Sequence, residues 1–311
     1  MNTYMHDSPI TIHAIGEDAL HILSSAQQGS VMASVTNALY LFGEQGELCW
    51  LIPTTGPMHQ RAMQISAPLP RLNVGSRYKV VDHTITTSTG EILDFRRSRN
   101  WTSPTITLID SVSLSTLSGS LLAVVNQLLA QHIPTGLGDL IIPIIQMTTL
   151  QNGALEVSIK SIAEKAWPAI EGIILAALAN DSDLIIDQAK FLVGFGEGLT
   201  PSGDDFLGGF FFSRQLLYHY YPKVLRVPIR TYSDFILQSK PLTNLISYAI
   251  LKDHADGRSI EPLHQLTNGL LLGEPVDRLI LYTEKLIALG HSTGWDLLTG
   301  FLAGMFVTFA Q

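Results

Sequence analysis

The residues best able to do chemistry lie in one stretch, Gly194 to Gly209, which reads G-F-G-E-G-L-T-P-S-G-D-D-F-L-G-G. Asp204 and Asp205 are adjacent carboxylates, a pairing suited to a general base, to a ligand of a hard cation such as Mg2+, or to an orienter of a histidine or arginine. Thr200 and Ser202 add hydroxyls, and Gly203 separates them from the acids. The backbone N–H groups of Gly196, Gly198 and Leu199 can cradle an anion beside the positive end of a helix. The bland alternative is a helix start, because acids in a first turn gain about 0.3–1 kcal/mol from the dipole and many ordinary helices begin this way. Density argues for a site: three alternating glycines, a Thr-Pro pair, a Ser-Gly pair and two Asp fall within twelve residues.

Gly290-His291-Ser292-Thr293-Gly294-Trp295-Asp296 repeats the logic, with a glycine, a hydroxyl cap at Ser292 and an acid, Asp296, one turn into an apolar helix. His291, with an ordinary pKa of about 6.5, suits proton transfer or anion binding; a histidine bonded to a carbonyl at a helix start is the competing reading. Thr243 and Ser247 put hydroxyls at i and i+4 on one face of a third helix, where they can line the same cavity. A phosphate beside two carboxylates is repelled unless a cation intervenes. Either Mg2+ sits there, or a partner subunit supplies Arg or Lys, or the Asp pair faces away from the ligand.

The elements that must position these groups follow from periodicity. Glycines at 194, 196 and 198 suit neither helix nor central strand, so the backbone there bends. Thr200-Pro201 predicts a capped helix from Pro201 to Tyr220. Further helices are predicted over Leu114–His132, Ser161–Asn180, Ser182–Leu192, Tyr232–Lys252, Ile260–Leu271, Pro275–Leu289 and Ser292–Phe309, with Asp253, Asp256 and Arg258 in a solvated turn. Gly300 and Gly304 form a small-residue seam that reads as core packing. Residues 1–110 read as strands divided by Gly and Pro: Ser30–Phe42, a turn, Glu47–Ile52, then Tyr78–Thr87 and Ile92–Phe95. The fold class is thus α+β, a small N-terminal β-barrel or sandwich in 1–110 followed by a mostly α-helical domain in 111–311.

Composition excludes several functions. The net charge of −8, with 19 basic and 27 acidic residues, argues against nucleic acid, and Arg96, Arg97 and Arg99 read as a solvated loop. A single cysteine, Cys49, excludes an internal disulfide and a cysteine metal site, and its apolar surroundings predict a packed core residue. Only 15% of residues are charged and mean hydropathy is +0.24, which points to a surface buried against partners. The longest apolar runs are too short to span a membrane, and no signal peptide opens the chain, so the reading places it in the cytoplasm. H-E-x-x-H, the P-loop and the G-x-S-x-G elbow are all missing.

Together, G-x-G-x-G-L-T-P-S-x-D-D at Gly194–Asp205, T-x-x-I-S at Thr243–Ser247 and G-H-S-T-G-x-D at Gly290–Asp296 resemble the bacterial family of the AllH-type subunit of oxamate carbamoyltransferase. Gly29-Ser30-Val31 through Asn37, with Gly46-Glu47-Leu48, resemble that family's early hairpin more loosely. The resemblance implies one of several different subunits that exchange a carbamoyl group between oxamate and phosphate late in allantoin and purine breakdown. It further implies carbamoyl phosphate as product, other subunits as partners and a small anionic substrate. Carried over by motif, Asp204, Asp205 and His291 would be catalytic. Gly196, Gly198, Leu199, Thr200, Ser202, Gly203, Thr243, Ser247, Ser292, Asp296 and Asn37 would bind substrate. The rival reading is a non-catalytic assembly subunit or a small-molecule-binding regulator.

Overall fold

The structure is a computed structural model of the 311-residue chain and describes residues 9–25, 27–66, 68–104, 112–149, 161–224 and 230–310. Two compact units divide at Pro104/Thr105. The predicted boundary at 110 lies outside the described residues.

The first unit is a closed barrel. It runs β1 (Ile10–Gly16), α1 (Glu17–Ser25), β2 (Gln28–Val35), β3 (Ala38–Gly43), β4 (Leu48–Pro53), β5 (Ala62–Ile65), β6 (Arg77–Val81), β7 (Thr84–Thr87), β8 (Ile92–Asp94) and β9 (Arg99–Trp101). The order β5-β4-β3-β2-β6-β7-β8-β1 returns to β5 through an antiparallel β1–β5 pairing. β9 takes over from β8 along one edge of β1. A ring of this size leaves an interior that side chains alone can fill, and Ile12, Leu39, Leu51, Met63, Ile85 and Leu93 fill it. Cys49 is fully buried there, and burial pushes its thiol up to about 12. The barrel, rather than the sandwich, is therefore the outcome.

Two predicted strands are hairpins. Ser30–Phe42 breaks at Thr36-Asn37, with Val35 paired to Ala38, so Asn37 is an exposed turn residue. Tyr78–Thr87 breaks at Asp82 and His83, whose φ values of 46° and 61° give the left-handed turn that matches strand twist. Neither turn has the glycine that would advertise it. The Arg96 side chain grips Asp94 in an exposed loop, as a solvated cluster should.

The second unit is helical: α2 (Leu114–Gln131), a 3-10 turn (Gly136–Leu140), α3 (Ile141–Thr149), α4 (Ser161–Leu178), α5 (Ser182–Ala189), α6 (Ser202–Tyr220), α7 (Arg230–Ser239), a second 3-10 turn (Lys240–Leu242), α8 (Leu245–Ala255), α9 (Glu261–Leu271), α10 (Val276–Ile287) and α11 (Thr293–Phe309). The single helix predicted over Tyr232–Lys252 is two, because Pro241 cannot continue a helix and Asn244 caps a new one through Ile246 N and Ser247 N, both at 3.0 Å. Asp253 is not solvated; it is fully buried and takes Arg258 Nη2 at 2.8 Å. Among the described residues no single helix is long and apolar enough to cross a membrane, although α2 and the bent segment after it, turning by 117°, together have that length and composition.

α6 and α11 form the centre of this unit. α6 is buried on every face from Ser202 to Arg214 and α11 from Gly294 to Thr308, the mark of helices that other helices surround. Phe206 and Phe210 face one apolar cluster and Phe212 the other, and α11 divides likewise between Ala303 and Phe301. The seam between them needs glycine. A Cβ on Gly300 would lie 1.8 Å from the Phe206 carbonyl oxygen, and one on Gly209 would lie 2.0 Å from that of Leu297. Gly300 sits at Phe206, Gly304 at Phe210 and Thr308 at Arg214, so each four-residue step on α6 is matched by four on α11. The two helices run parallel, and their N-termini lie side by side.

Candidate functional site

The Gly194–Thr200 loop leads into α6 through glycines whose φ values are 72°, 116° and 92° at Gly194, Gly196 and Gly198. All three occupy the left-handed region, where a side chain costs about 1–2 kcal/mol. Gly196 and Gly198 lie at the exposed tip, while Gly194 packs so tightly that a Cβ would lie 2.4 Å from Leu242 O. Leu199 and Thr200 are half-buried. Thr200 is not the cap of α6: Pro201 holds that position without a side-chain bond, and the Thr200 hydroxyl pairs with that of Thr293 at 3.0 Å. This hydroxyl bridge ties the approach to α6 to the start of α11. Gly203 is buried with its N–H on Phe195 O at 2.8 Å, and a Cβ there would stand 2.0 Å from Leu192 O, so it serves the turn.

The two adjacent acids differ in every respect but burial. Asp204 is satisfied on both oxygens: Gly194 N donates to Oδ1 at 2.9 Å, and the hydroxyls of Thr243 and Ser247 donate to Oδ2 at 2.5 and 2.6 Å. It therefore pins the glycine loop to the head of α8. Ser247 beside Asp204, and His254 beside Gly208, show that α8 runs in the same direction as α6. Three helix N-termini, those of α6, α8 and α11, thus gather at one end, a field that favours negative charge.

Asp205 is 4% exposed, and its Oδ2 meets no donor. Burial, and then the charge of Asp296, hold its carboxyl well above the usual carboxylate range, against hydrogen bonds from Thr293 and Thr200. Asp296 is fully buried. Its Oδ1 accepts Leu137 N at 2.6 Å and its Oδ2 is unpartnered. Burial pushes it up to about 6, although Leu137 N and the hydroxyls of Ser202 and Ser292 favour the ionised form. Sequence reasoning paired Asp204 with Asp205; after burial, the charge that most raises Asp205 is that of Asp296, across the helix seam, and Asp204 acts less.

His291 stands apart. Its side chain is exposed and makes no hydrogen bond among the described residues; only its carbonyl is used, accepting the Thr135 hydroxyl at 3.1 Å. Ser292 is half-buried at the N-cap position of α11, but its hydroxyl makes no capping bond, contrary to the expectation. Asn37 belongs to the barrel unit. Thr135, Gly136 and Leu137 escaped the sequence reading, which ended the preceding helix at His132. A Cβ on Gly136 would lie 2.3 Å from Asp296 Oδ1, so the glycine in Thr135-Gly136-Leu137 was the available signal. Among the described residues no group of three His, Cys, Asp or Glu is disposed to hold a metal ion.

The stretch that carries every one of these acids, residues 192–305, matches the model of the family described as oxamate carbamoyltransferase subunit AllH. Over residues 192–305 the chain is similar to the AllH type. No curated protein and no solved structure matches the chain. The AllH segment begins at Leu192, two residues before the glycine loop, and ends at Met305, inside α11, so it encloses the heads of α6, α8 and α11.

Proposed function

We propose that this chain is a subunit of a carbamoyltransferase of the oxamate type, acting in the breakdown of purines and allantoin, and that it supplies a polar site for a small anionic substrate. The observation that carries the reading is the gathering of three helix N-termini around the buried Asp205 and Asp296 inside the AllH segment. Exposed N–H groups of the Gly196–Leu199 loop would take the anion, and Thr200, Ser202, Ser292 and Thr293 would add hydroxyls. Asp204 would hold this frame in register with Thr243 and Ser247 rather than react. His291, at the exposed rim, would meet substrate or a partner subunit.

A second reading, an assembly subunit without chemistry of its own, draws on a different observation. Phe191 is 71% exposed, Leu242 54% and Leu245 37%, and they flank the glycine loop. Such a surface fits a partner subunit.

Purification of the chain from its native host, identification of what accompanies it, and assay of the complex for phosphate-dependent release of carbamoyl phosphate test the first reading. Asp205→Asn then separates the two: lost turnover in an intact complex supports chemistry at this site, and full turnover supports assembly alone.

A further inference from the structure

Asp205 and Asp296 lie at the same end of the α6–α11 seam, and the charge of Asp296 acts on the Asp205 carboxyl. Each stands one residue before the point at which the other helix touches its own: Phe206 O fills the Cβ position of Gly300, and Leu297 O fills that of Gly209. The Thr200–Thr293 hydroxyl bridge closes the end of the seam beside them. Each acid retains one oxygen, Oδ2, without a donor, at 4% and 0% exposure. Two ionised carboxylates, both acceptors only, cannot satisfy each other. One proton changes this, because a protonated carboxyl is a donor and its ionised neighbour an acceptor.

Resting on the function proposed above, we propose that Asp205 and Asp296 hold one proton between them at neutral pH and relay it during carbamoyl transfer, with Asp205 as the donor. The balance is direct. In the direction that makes carbamoyl phosphate, a phosphate oxygen forms a bond to the carbamoyl carbon and the bond from that carbon to the oxamate nitrogen breaks. The electron pair of the broken bond stays on nitrogen, which takes the proton of Asp205. The proton of the attacking hydrogen phosphate passes to the carboxylate pair, which regains its starting state. Two acids of unequal proton affinity suit such a step, one able to give while the other receives. The groups that act on the pair are the Thr200 and Thr293 hydroxyls and the Asp204 carboxylate at Asp205, and Leu137 N with the Ser202 and Ser292 hydroxyls at Asp296; Asp204 is itself already bonded three times.

Infrared spectra of the full chain between pH 4 and 9 test the shared proton. At pH 7 the native chain should show the carbonyl stretch of a protonated carboxyl, distinct from the carboxylate bands, and Asp205→Asn should remove it. In Asp296→Asn the band should persist but disappear at lower pH, because the neighbouring charge that holds the proton on Asp205 is gone. A native spectrum without that band at pH 7, or a band unmoved by both substitutions, overturns the proposal, and the native titration alone decides should a variant fail to fold. In the active complex, Asp205→Asn should lower kcat about 100-fold or more while KM changes little, and the limb of the kcat pH profile assigned to the pair should vanish. An unaltered kcat overturns the relay. A complex that never makes carbamoyl phosphate refutes the proposed reaction instead, while the infrared result still decides the shared proton.

Discussion

Asp296→Asn should make the protein's stability less dependent on pH, and the size of the effect can be worked out from its surroundings. In the folded chain Asp296 titrates at about 6 instead of 3.8, because burial outweighs the bonds from Leu137 N, Ser202 and Ser292. A raised carboxyl pKa means that the folded state binds the proton more tightly than the unfolded one. The associated stability is fully present below about pH 4 and is lost as pH rises through about 6. That shift corresponds to about 3 kcal/mol, at roughly 1.36 kcal/mol per pH unit. Asparagine is nearly isosteric and still offers an oxygen to Leu137 N, so it removes the titration while keeping the bond. Urea unfolding of the full chain at pH 4, 5, 6 and 7 gives the measurement, since the midpoint at constant slope reports stability. The stability of the variant minus that of the native chain should rise by about 2–3 kcal/mol from pH 4 to pH 7, most steeply near pH 5, between the unfolded value of 3.8 and the folded value of about 6. Carboxylates away from the seam, such as Asp94, held low by Arg96, act in the opposite sense but cancel in the difference, whereas Asp205, relieved of the Asp296 charge, adds to it in the same direction. A flat or falling difference would refute the claim that Asp296 is a costly buried acid.

Other substitutions separate structural from chemical roles. Asp204→Asn leaves an amide facing two hydroxyl donors and Gly194 N, and should cost about 3 kcal/mol or more, seen as a lower melting temperature; Ser247→Ala should cost about 1.5–3 kcal/mol. An Asp204→Asn chain as stable as the native one would remove its assigned role as a pin. Gly300→Ala drives a methyl into the Phe206 carbonyl and should lose about 3 kcal/mol or more. Gly198→Ala, with nothing within 4 Å but φ at 92°, should lose only about 1–2 kcal/mol and remain folded; equal losses in the two variants would contradict the parallel seam. Cys49 should resist a thiol reagent in the native state and react fully in urea, because its thiol is buried and pushed up to about 12.

Much of this arrangement is legible in the sequence, for identifiable reasons. Alternating glycines announce left-handed backbone whatever surrounds them, and all three are left-handed. The apolar period of α2 is set by the one face it buries, and the unbroken apolar character of α11 by burial on every face, both of which the sequence records directly. Gly300 and Gly304 promise a close helix neighbour and have one in α6. What stays hidden depends on partners distant along the chain. Asp82-His83 turns a strand without glycine, and Thr36-Asn37 does so without a positive φ, so neither interrupts the alternating pattern. The roles of the acids are set by which donors reach them. Asp204 meets Thr243 and Ser247, some forty residues later, and Asp205 meets Asp296 only because the seam is parallel. Adjacency in sequence therefore suggested the wrong pair: neighbours on a helix point about 100° apart, so Asp204 turns toward α8 while Asp205 turns toward α11. A seam of opposite direction, built from the same glycines, would have placed Asp296 at the far end of α6, beside the last turn instead of the first. The parallel run of two helices ninety residues apart thus decides which carboxylate serves as a pin and which remains free to hold a proton.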